Sequence, residues 1–464
     1  MKKSDHDQTF AVIVGNREFF PDQLAEEGGK KVVTMLQDLG YRIITLSESD
    51  SKGVQTWEDA KKCASLFKDN ADKIDGVVVT LPNFGDEKAV ADTLRGSHLD
   101  VPVLIHAFPD EPQKMDILHR RDSFCGKISV CNNLYQYGID FTNTKTHVEA
   151  VESPEFREDV TVFGGICATV KGLKNARLGV VGVRPNAFKT VRYSEKILER
   201  YGISTEIVSL MEIVGRAQEL KEDSSEVQQV LKQMEHWFQW GSIPEPPIIK
   251  TAKLACAILE WIHEHEIDAV SINCWPAIEK YYEIVPCAAM SIISEKLIPA
   301  ACETDVMGSL SMYALQLASG TPAGLVDLNN NFGNDLSKCV LFHCGALAPE
   351  FYTENPELKC HDMQGYYGSL SGKIAPGPVT LFRVSTDNNG IKGYLAEGAI
   401  TKDDIGTFGT YGIVEIDNLP KLLRFIVDNG FEHHVAIARG HVAYILEESA
   451  KKYLKWDVFR HGSE

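Results

Sequence analysis

GVVVTLPNFGDEKAVADTLRGSHLDVPVLIHA (76–107) decides the fold class. Its two apolar runs, GVVVTLP (76–82) and VPVLIHA (101–107), flank an amphipathic stretch that predicts a helix near 87–95. Short apolar runs alternating with amphipathic stretches are βαβ units on a parallel sheet, because strands covered by helices on both faces have no polar side. The alternation extends upstream. FAVIVG (10–15) and RIITL (42–46) read as strands, Gln23–Leu39 and 57–69 as helices. Ligands on such sheets bind beyond the carboxyl ends of the strands, and Gly15, Asn16 and Arg17 stand at one of those ends.

Downstream the pattern pauses in the polar run DFTNTKTHVEAVESPEFRED (140–159), which places a boundary near 150. It restarts with ARLGVVGVRP (176–185), a helix through Lys196–Tyr201 and the strand STEIVSL (204–210). A helix pair over 212–240, the Pro-rich loop SIPEPP (242–247), a helix over 250–264, the strand AVSINC (269–274), another helix and KLIPAAC (296–302) complete a second α/β unit. After about 320 the strands GLVDL (324–328) and CVLFHCG (339–345) come close together. PVTLFRVS (378–385) and KGYLAEG (392–398) flank DNNG, where Asn389-Gly390 signals a hairpin turn with both central residues at φ > 0. A helix is expected at about 441–454. The predicted class is α/β: two tandem Rossmann-like parallel-sheet domains (1–152 and 153–318), then a mainly β, barrel-like C-terminal domain (319–464).

With 464 residues the chain exceeds one hydrophobic core. No apolar run approaches the ~20 residues of a membrane span. The N-terminal MKKSDHDQTF is basic at its start, but no apolar region follows as a signal peptide requires. A net charge of −18 repels phosphate backbones and anionic lipid, arguing against nucleic-acid and membrane partners, and does not oppose a bound cation. Eleven scattered cysteines with no CxxC pair read as reduced thiols in a cytoplasmic protein, several of them (Cys256, Cys339) in apolar stretches.

The candidate chemistry lies late in the chain. IPAACETDVMGSLSMYALQLASG (298–320) runs from a buried strand into Glu303 and then a helix capped by Thr304 or Asp305. Glu303 is thus a carboxylate at a strand tip, suited to a ligand or a base, or alternatively an acid complementing a helix dipole. Asp327 ends the short strand GLVDL, where an Asp most often forms a turn. His343 ends CVLFHCG, where a lone His is usually a satisfied core or edge residue. FEHHVAIARGHVAYIL (431–446) adds His433, His434 and His441. Together, two carboxylates and two imidazoles (Glu303, Asp327, His343, His434) suit a hard-to-borderline divalent ion: Mn²⁺, or Mg²⁺, Co²⁺ or Fe²⁺. Cys302 and Cys344 flank them and are expected to pack rather than ligate. The absence of paired cysteines argues against structural zinc.

These motifs resemble the L-fucose/L-arabinose isomerase superfamily. The resemblance rests on ACETDVMGSLSMYAL around Glu303, GLVDLNN around Asp327 and HHVAIARGHV around His434, and extends weakly over the whole chain through VIVGNRE near the start. The 24-residue step from Glu303 to Asp327 is similar to that of L-fucose isomerase. The resemblance implies an aldose–ketose isomerase in which Glu303 and Asp327 bind Mn²⁺ and exchange protons with the sugar. It makes His434 a metal ligand, and Arg17, with the loop residues Arg184 and Phe188, sugar contacts. His343 matches a metal-binding histidine of the arabinose branch that the fucose branch lacks, and Asp327 is Glu in the arabinose branch, so the chain looks like a third branch. A monosaccharide substrate and a homo-oligomer are implied, hexamers being usual in the family.

Trp275, just past AVSINC, could stack on a sugar or simply pack, and His433 joins it as a candidate contact. HEHE (263–266) is not HExxH and reads as a solvated helix end. GVVGVRPNAF (179–188) is not GxGxxG, so a dinucleotide-dependent dehydrogenase lacks its fingerprint. Rival readings are an isomerase of an unusual acidic or sulfonated hexose and a non-catalytic sugar-binding module of similar α/β architecture.

Overall fold

A computed structural model describes residues 8–47, 52–387 and 389–462. The basic start before Gln8 and Asn388 of the hairpin turn lie outside them. The chain forms two compact units, one of Met1–Lys171 with Glu448–Lys455, the other of Gly172–Glu447 with Trp456–Glu464.

The first unit holds a five-stranded sheet: β1 (Thr9–Val14), β2 (Arg42–Ile44), β3 (Gly76–Leu81), β4 (Val103–Ala107) and β5 (Thr142–Asn143), ordered β2-β1-β3-β4-β5 and all parallel. Alternate residues of these strands face opposite ways. Ala11, Ile13, Val77, Val79 and Ile105 pack in one core cluster, and Phe10, Val12, Val78 and Leu104 in another. Two apolar faces explain the unbroken runs that mark this region in the sequence. The helix Trp57–Lys68 opens on a capping box between Thr56 and Asp59.

Two helices here escape the sequence reading. Pro154–Lys174 begins inside the polar run, but Phe156, Val160, Phe163 and Cys167 recur at three- and four-residue steps and are all buried. Ser123–Gln136 carries apolar residues on both faces, with Val130 and Leu134 buried but Phe124, Ile128 and Tyr135 exposed, which erases the period.

The second unit contains a parallel sheet of β6 (Arg177–Val181), β7 (Ser204–Val208), β8 (Ala269–Ile272) and β9 (Ala300–Ala301), ordered β7-β6-β8-β9. The helix Val306–Ser319 follows β9. The later strands are β10 (Ala323–Phe332), β11 (Asp335–His343), β12 (Glu357–Cys360), β13 (Tyr367–Lys373), β14 (Gly377–Asp387), β15 (Gly390–Ile400), β16 (Thr410–Glu415), β17 (His434–Arg439) and β18 (Asp457–Arg460). Six of them close on themselves in the order β16-β11-β10-β17-β14-β15, because β15 also pairs with β16. All six pairings are antiparallel, making a small barrel with β12, β13 and β18 attached. The predicted class, parallel α/β sheets followed by a mainly β, barrel-like portion, is what the chain builds.

The β14–β15 hairpin forms with Asp387 opposite Gly390, so its connection is the two residues 388–389. Gly390 is therefore the first residue of β15 rather than a central turn residue as expected, although it keeps a positive φ of 143°. HEHE does end a helix, Glu245–Glu264, with His265 as its C-terminal cap.

Candidate active site and metal centre

Two sets of strand ends meet in the second unit. Glu303 follows β9 and, with Thr304, takes the left-handed conformation, φ 61° and 57°. Two consecutive non-glycine residues at positive φ are a strained turn that other contacts must hold. From the barrel, Asp327 lies mid-strand in β10 rather than at a strand end as expected, because pairing continues through the polar residues to Phe332. It stands directly opposite His434, the first residue of β17, and β11 delivers His343 at its last position. Antiparallel pairing thus sets Asp327 beside His434.

His434 Nε2 is 3.1 Å from Glu303 Oε2 and 3.4 Å from Asp327 Oδ1. Two overlapping triads result, Glu303–His343–His434 and Asp327–His433–His434, in each of which one ligand atom per residue lies within 4.8 Å of the others. His434 and His343 are buried, Glu303 and Asp327 partly so, and His433 is exposed. Glu303 Oε2 and Asp327 Oδ1 are shielded from solvent, yet neither has a hydrogen-bond partner of good geometry. Carboxylate oxygens so placed call for a cation or a substrate donor. Two carboxylates with two imidazoles match the ligand preference of Mn²⁺ or a similar divalent ion, so the residues fit one.

The other face of His434 is built more firmly. Asp305 caps the helix Val306–Ser319 by accepting from the Gly308 amide at 2.8 Å, as the sequence led one to expect. It also accepts from His434 Nδ1 at 2.9 Å and from both terminal nitrogens of Arg383, at 2.6 and 3.1 Å. Arg383 Nε donates to Glu432 at 3.1 Å, and Ser385 donates to Glu432 at 2.7 Å. Burial alone would raise the Asp305 carboxyl pKa, but Arg383 and His434 hold it well below the carboxylate range. Burial would likewise depress His434, but the hydrogen bond to Asp305, with the Glu303 carboxylate 3.1 Å from Nε2, lifts it to about 9 instead. With Nδ1 committed to Asp305, it is Nε2 that faces Glu303 and Asp327.

A cavity of about 380 Å³ opens on Glu303, Asp327, His343 and His433. Phe188 and Trp275 line it, their rings 5.5 Å apart and edge-on, and the Trp275 indole donates to Glu303 Oε1 at 3.3 Å. Arg184 donates to the neighbouring Pro185 carbonyl, and His441 reaches the Gly398 carbonyl. Arg17 belongs to the first unit, where it pairs with Glu87, donates to the Gly85 carbonyl and lies over the Phe84 ring. A second cavity, about 370 Å³, lies in the first unit among Val12, Val14, Val33 and Leu46. None of the three potential metal-binding clusters found among the described residues lies there.

Sequence reasoning missed Arg383, Glu432 and the wider part played by Asp305. A signal was available: Arg383 interrupts the apolar strand PVTLFRVS, and an arginine there needs a buried anionic partner.

Residues 11–174 match the family model "Fucose/sulfoquinovose isomerase, N-terminal domain", and residues 341–461 match "L-fucose isomerase, C-terminal domain". The chain belongs to the L-fucose isomerase-like superfamily. It is an aldose–ketose isomerase of that superfamily. Relatives include the sulfoquinovose isomerase of Priestia aryabhattai, 26% identical over 387 residues that cover 81% of this chain and 83% of that one. The sulfoquinovose isomerase of Alkalicoccus urumqiensis is 25% identical over 61% of this chain and 65% of that one. A periplasmic solute-binding protein from Actinobacillus succinogenes with bound D-allose covers 67% of the isomerase at 10% identity and a TM-score of 0.17, too poor a superposition to carry an argument. No described helix is long and apolar enough to cross a membrane.

Proposed function

We propose that this isomerase works with a divalent metal ion, Mn²⁺ foremost, and moves a proton between C1 and C2 of a sulfonated or otherwise acidic hexose by an ene-diol route. The observation that carries the reading is the pair of shielded, unpartnered carboxylate oxygens of Glu303 and Asp327, both within 3.4 Å of His434 Nε2. The choice of sugar is supported by the relatives named sulfoquinovose isomerase.

Glu303, Asp327, His343 and His434 would hold the ion, which when bound supplies Lewis-acid stabilisation of the developing oxyanion. Glu303 and Asp327 form the proton-transfer pair. One carboxylate removes the C2 proton of the open aldose, the C1–C2 double bond forms as O1 gains a proton, and a proton returned to C1 as O2 loses its own gives the ketose. A positioned carboxylate contributes roughly 10²–10⁴-fold to such a step. Asp305 and Arg383 fix the imidazole of His434 so that Nε2 faces the carboxylates. Phe188, Trp275 and His433 offer the sugar two aromatic surfaces and a polar edge, while Arg184 provides a guanidinium group for hydroxyls or the anionic substituent.

A cytoplasmic location is proposed, which eleven free thiols support. A homo-oligomer is proposed with it, in line with the exposed Phe124, Ile128 and Tyr135 on one helix. Assaying sulfoquinovose, L-fucose, D-arabinose, L-arabinose and glucuronate with ketose readout tests the substrate reading. The expected result is a kcat/KM for sulfoquinovose at least about a hundredfold above the neutral sugars. Preferential turnover of a neutral sugar contradicts the acidic-hexose reading.

A further inference from the structure

Four cysteines converge behind the cavity. Cys274 follows β8, Cys302 follows β9, Cys344 follows β11, and Cys287 opens the helix Cys287–Glu295. The Cys302 thiol donates to Cys274 at 3.0 Å, that of Cys287 to Cys344 at 3.7 Å, and Cys344 Sγ lies 3.3 Å from His343 Nδ1. Cys302, His343 and Cys344 each offer a ligand atom within 4.8 Å of the other two. Thiols that only fill space need not face one another. These do, and Cys274, Cys287 and Cys344 reach the cavity wall beside Glu303 and Asp327. A tetrahedral ion with thiolate bonds of about 2.3 Å spaces its sulfurs by about 3.8 Å, a separation the Cys302 and Cys344 sulfurs, within 4.8 Å of each other, can adopt.

We propose that Cys302, His343 and Cys344 form a second cation site that takes a thiophilic ion such as Cd²⁺, Zn²⁺ or Cu⁺ and competes with the catalytic ion for His343. The thiol site stands on the sulfur geometry alone, while the competition rests on the assignment of His343 to the catalytic ion. Carboxylate and imidazole favour Mn²⁺ and Mg²⁺, whereas thiolates favour the softer ions, so the two sets select different metals across one shared imidazole. Each thiol that ligates releases one proton. Soft metals would therefore disable the enzyme from within its own site.

The test titrates chelator-stripped, full-length protein with Cd²⁺ and follows thiolate-to-metal charge transfer in the ultraviolet. One Cd²⁺ per chain is expected to give a saturable band in the wild type and in Cys125→Ser, which removes an exposed thiol of the first unit. Cys302→Ser and Cys344→Ser, checked for native circular dichroism, are each expected to weaken Cd²⁺ binding at least about tenfold. If one of them does not fold, Cys302→Ala or Cys344→Ala takes its place. No band in the wild type, or a band unchanged in the folded variants, overturns the site. Mn²⁺ is then titrated by electron paramagnetic resonance, and Cd²⁺-loaded protein is expected to bind it at least about tenfold more weakly than stripped protein. Equal Mn²⁺ affinity in the two overturns the competition. Failure of stripped protein to bind Mn²⁺ at all counts against the catalytic-ion assignment, and the Cd²⁺ band still decides the thiol site.

Discussion

Asp305 Oδ2 lies 2.9 Å from His434 Nδ1, and this hydrogen bond is made by a carboxylate that also caps a helix and holds a fully buried arginine. One residue thus ties the turn after β9, strand β14 and strand β17 to a single geometry. Asp305→Asn keeps the shape but removes the charge opposite Arg383. Breaking a buried pair costs about 3–5 kcal/mol, and loss of the group that orients a ligating histidine costs about 10–100-fold in metal affinity. Denaturant unfolding and Mn²⁺ titration of this variant are expected to show both losses. A variant with weakened stability but wild-type Mn²⁺ affinity would make Asp305 purely structural.

Glu303→Gln separates chemistry from folding. The amide keeps an oxygen for the Trp275 indole but loses the charge 3.1 Å from His434 Nε2, so the variant is expected to lose about 1–2 kcal/mol and stay folded. Its turnover is expected to fall at least about a hundredfold, since the amide cannot accept the substrate proton. Steady-state kinetics at saturating metal check this, and near-normal kcat with metal bound would remove Glu303 from the proton transfer.

Gly345 adjoins His343 and Cys344 and has φ 107°. A Cβ there would lie 2.1 Å from the Leu370 carbonyl oxygen, which belongs to β13 backbone and cannot swing aside. Gly345→Ala is expected to cost about 2–3 kcal/mol and to weaken Mn²⁺ binding through His343. Gly430→Ala, at φ 63° with nothing within 4 Å of the added carbon, is expected to cost about 1 kcal/mol and leave the metal untouched. Thermal unfolding and Mn²⁺ titration of both variants make the comparison.

Acid sensitivity is expected to come partly from the first unit. Burial pushes His106 down to about 3, where its ring is held neutral between Thr80 and the Glu149 carbonyl and stacks on Phe156. Below pH 6.5 the unfolded chain takes up a proton that the folded chain refuses, so this contribution is complete above pH 6.5 and is lost as pH falls toward 3. The slope approaches about 1.4 kcal/mol per pH unit. In His106→Gln, urea midpoints measured from pH 7 to 5 are expected to fall less steeply than in the wild type. Parallel profiles would show that His106 is protonated in the folded protein.

The parallel sheets were legible because β1, β3, β4 and β8 are short strands buried on both faces, a pattern few other structures produce. The helix Pro154–Lys174 was hidden because its first turn is charged and its apolar stripe begins only at Phe156. Glu303, His343 and His434 could be named from the sequence because each sits at a strand boundary, whereas Asp327 lies mid-strand in β10, whose second half (328–332) is largely polar. Their convergence through the Asp327–His434 register could not, since it depends on pairing between strands about a hundred residues apart. The Asp305–Arg383–Glu432 network and the four facing cysteines are long-range arrangements of the same kind. No local spacing encodes them, although an arginine inside an apolar strand announces that some buried partner must exist.

Isomerisation is proposed to require an ion held by Glu303, Asp327, His343 and His434. That requirement is tested most directly by stripping the enzyme with a chelator, restoring Mn²⁺ in steps, and measuring bound Mn²⁺ and turnover together. Stripped protein is expected to show no turnover, with recovery that saturates at one Mn²⁺ per chain, and His434→Ala is expected to show neither binding nor recovery at the same metal concentration. Full turnover by the exhaustively stripped protein would contradict the requirement.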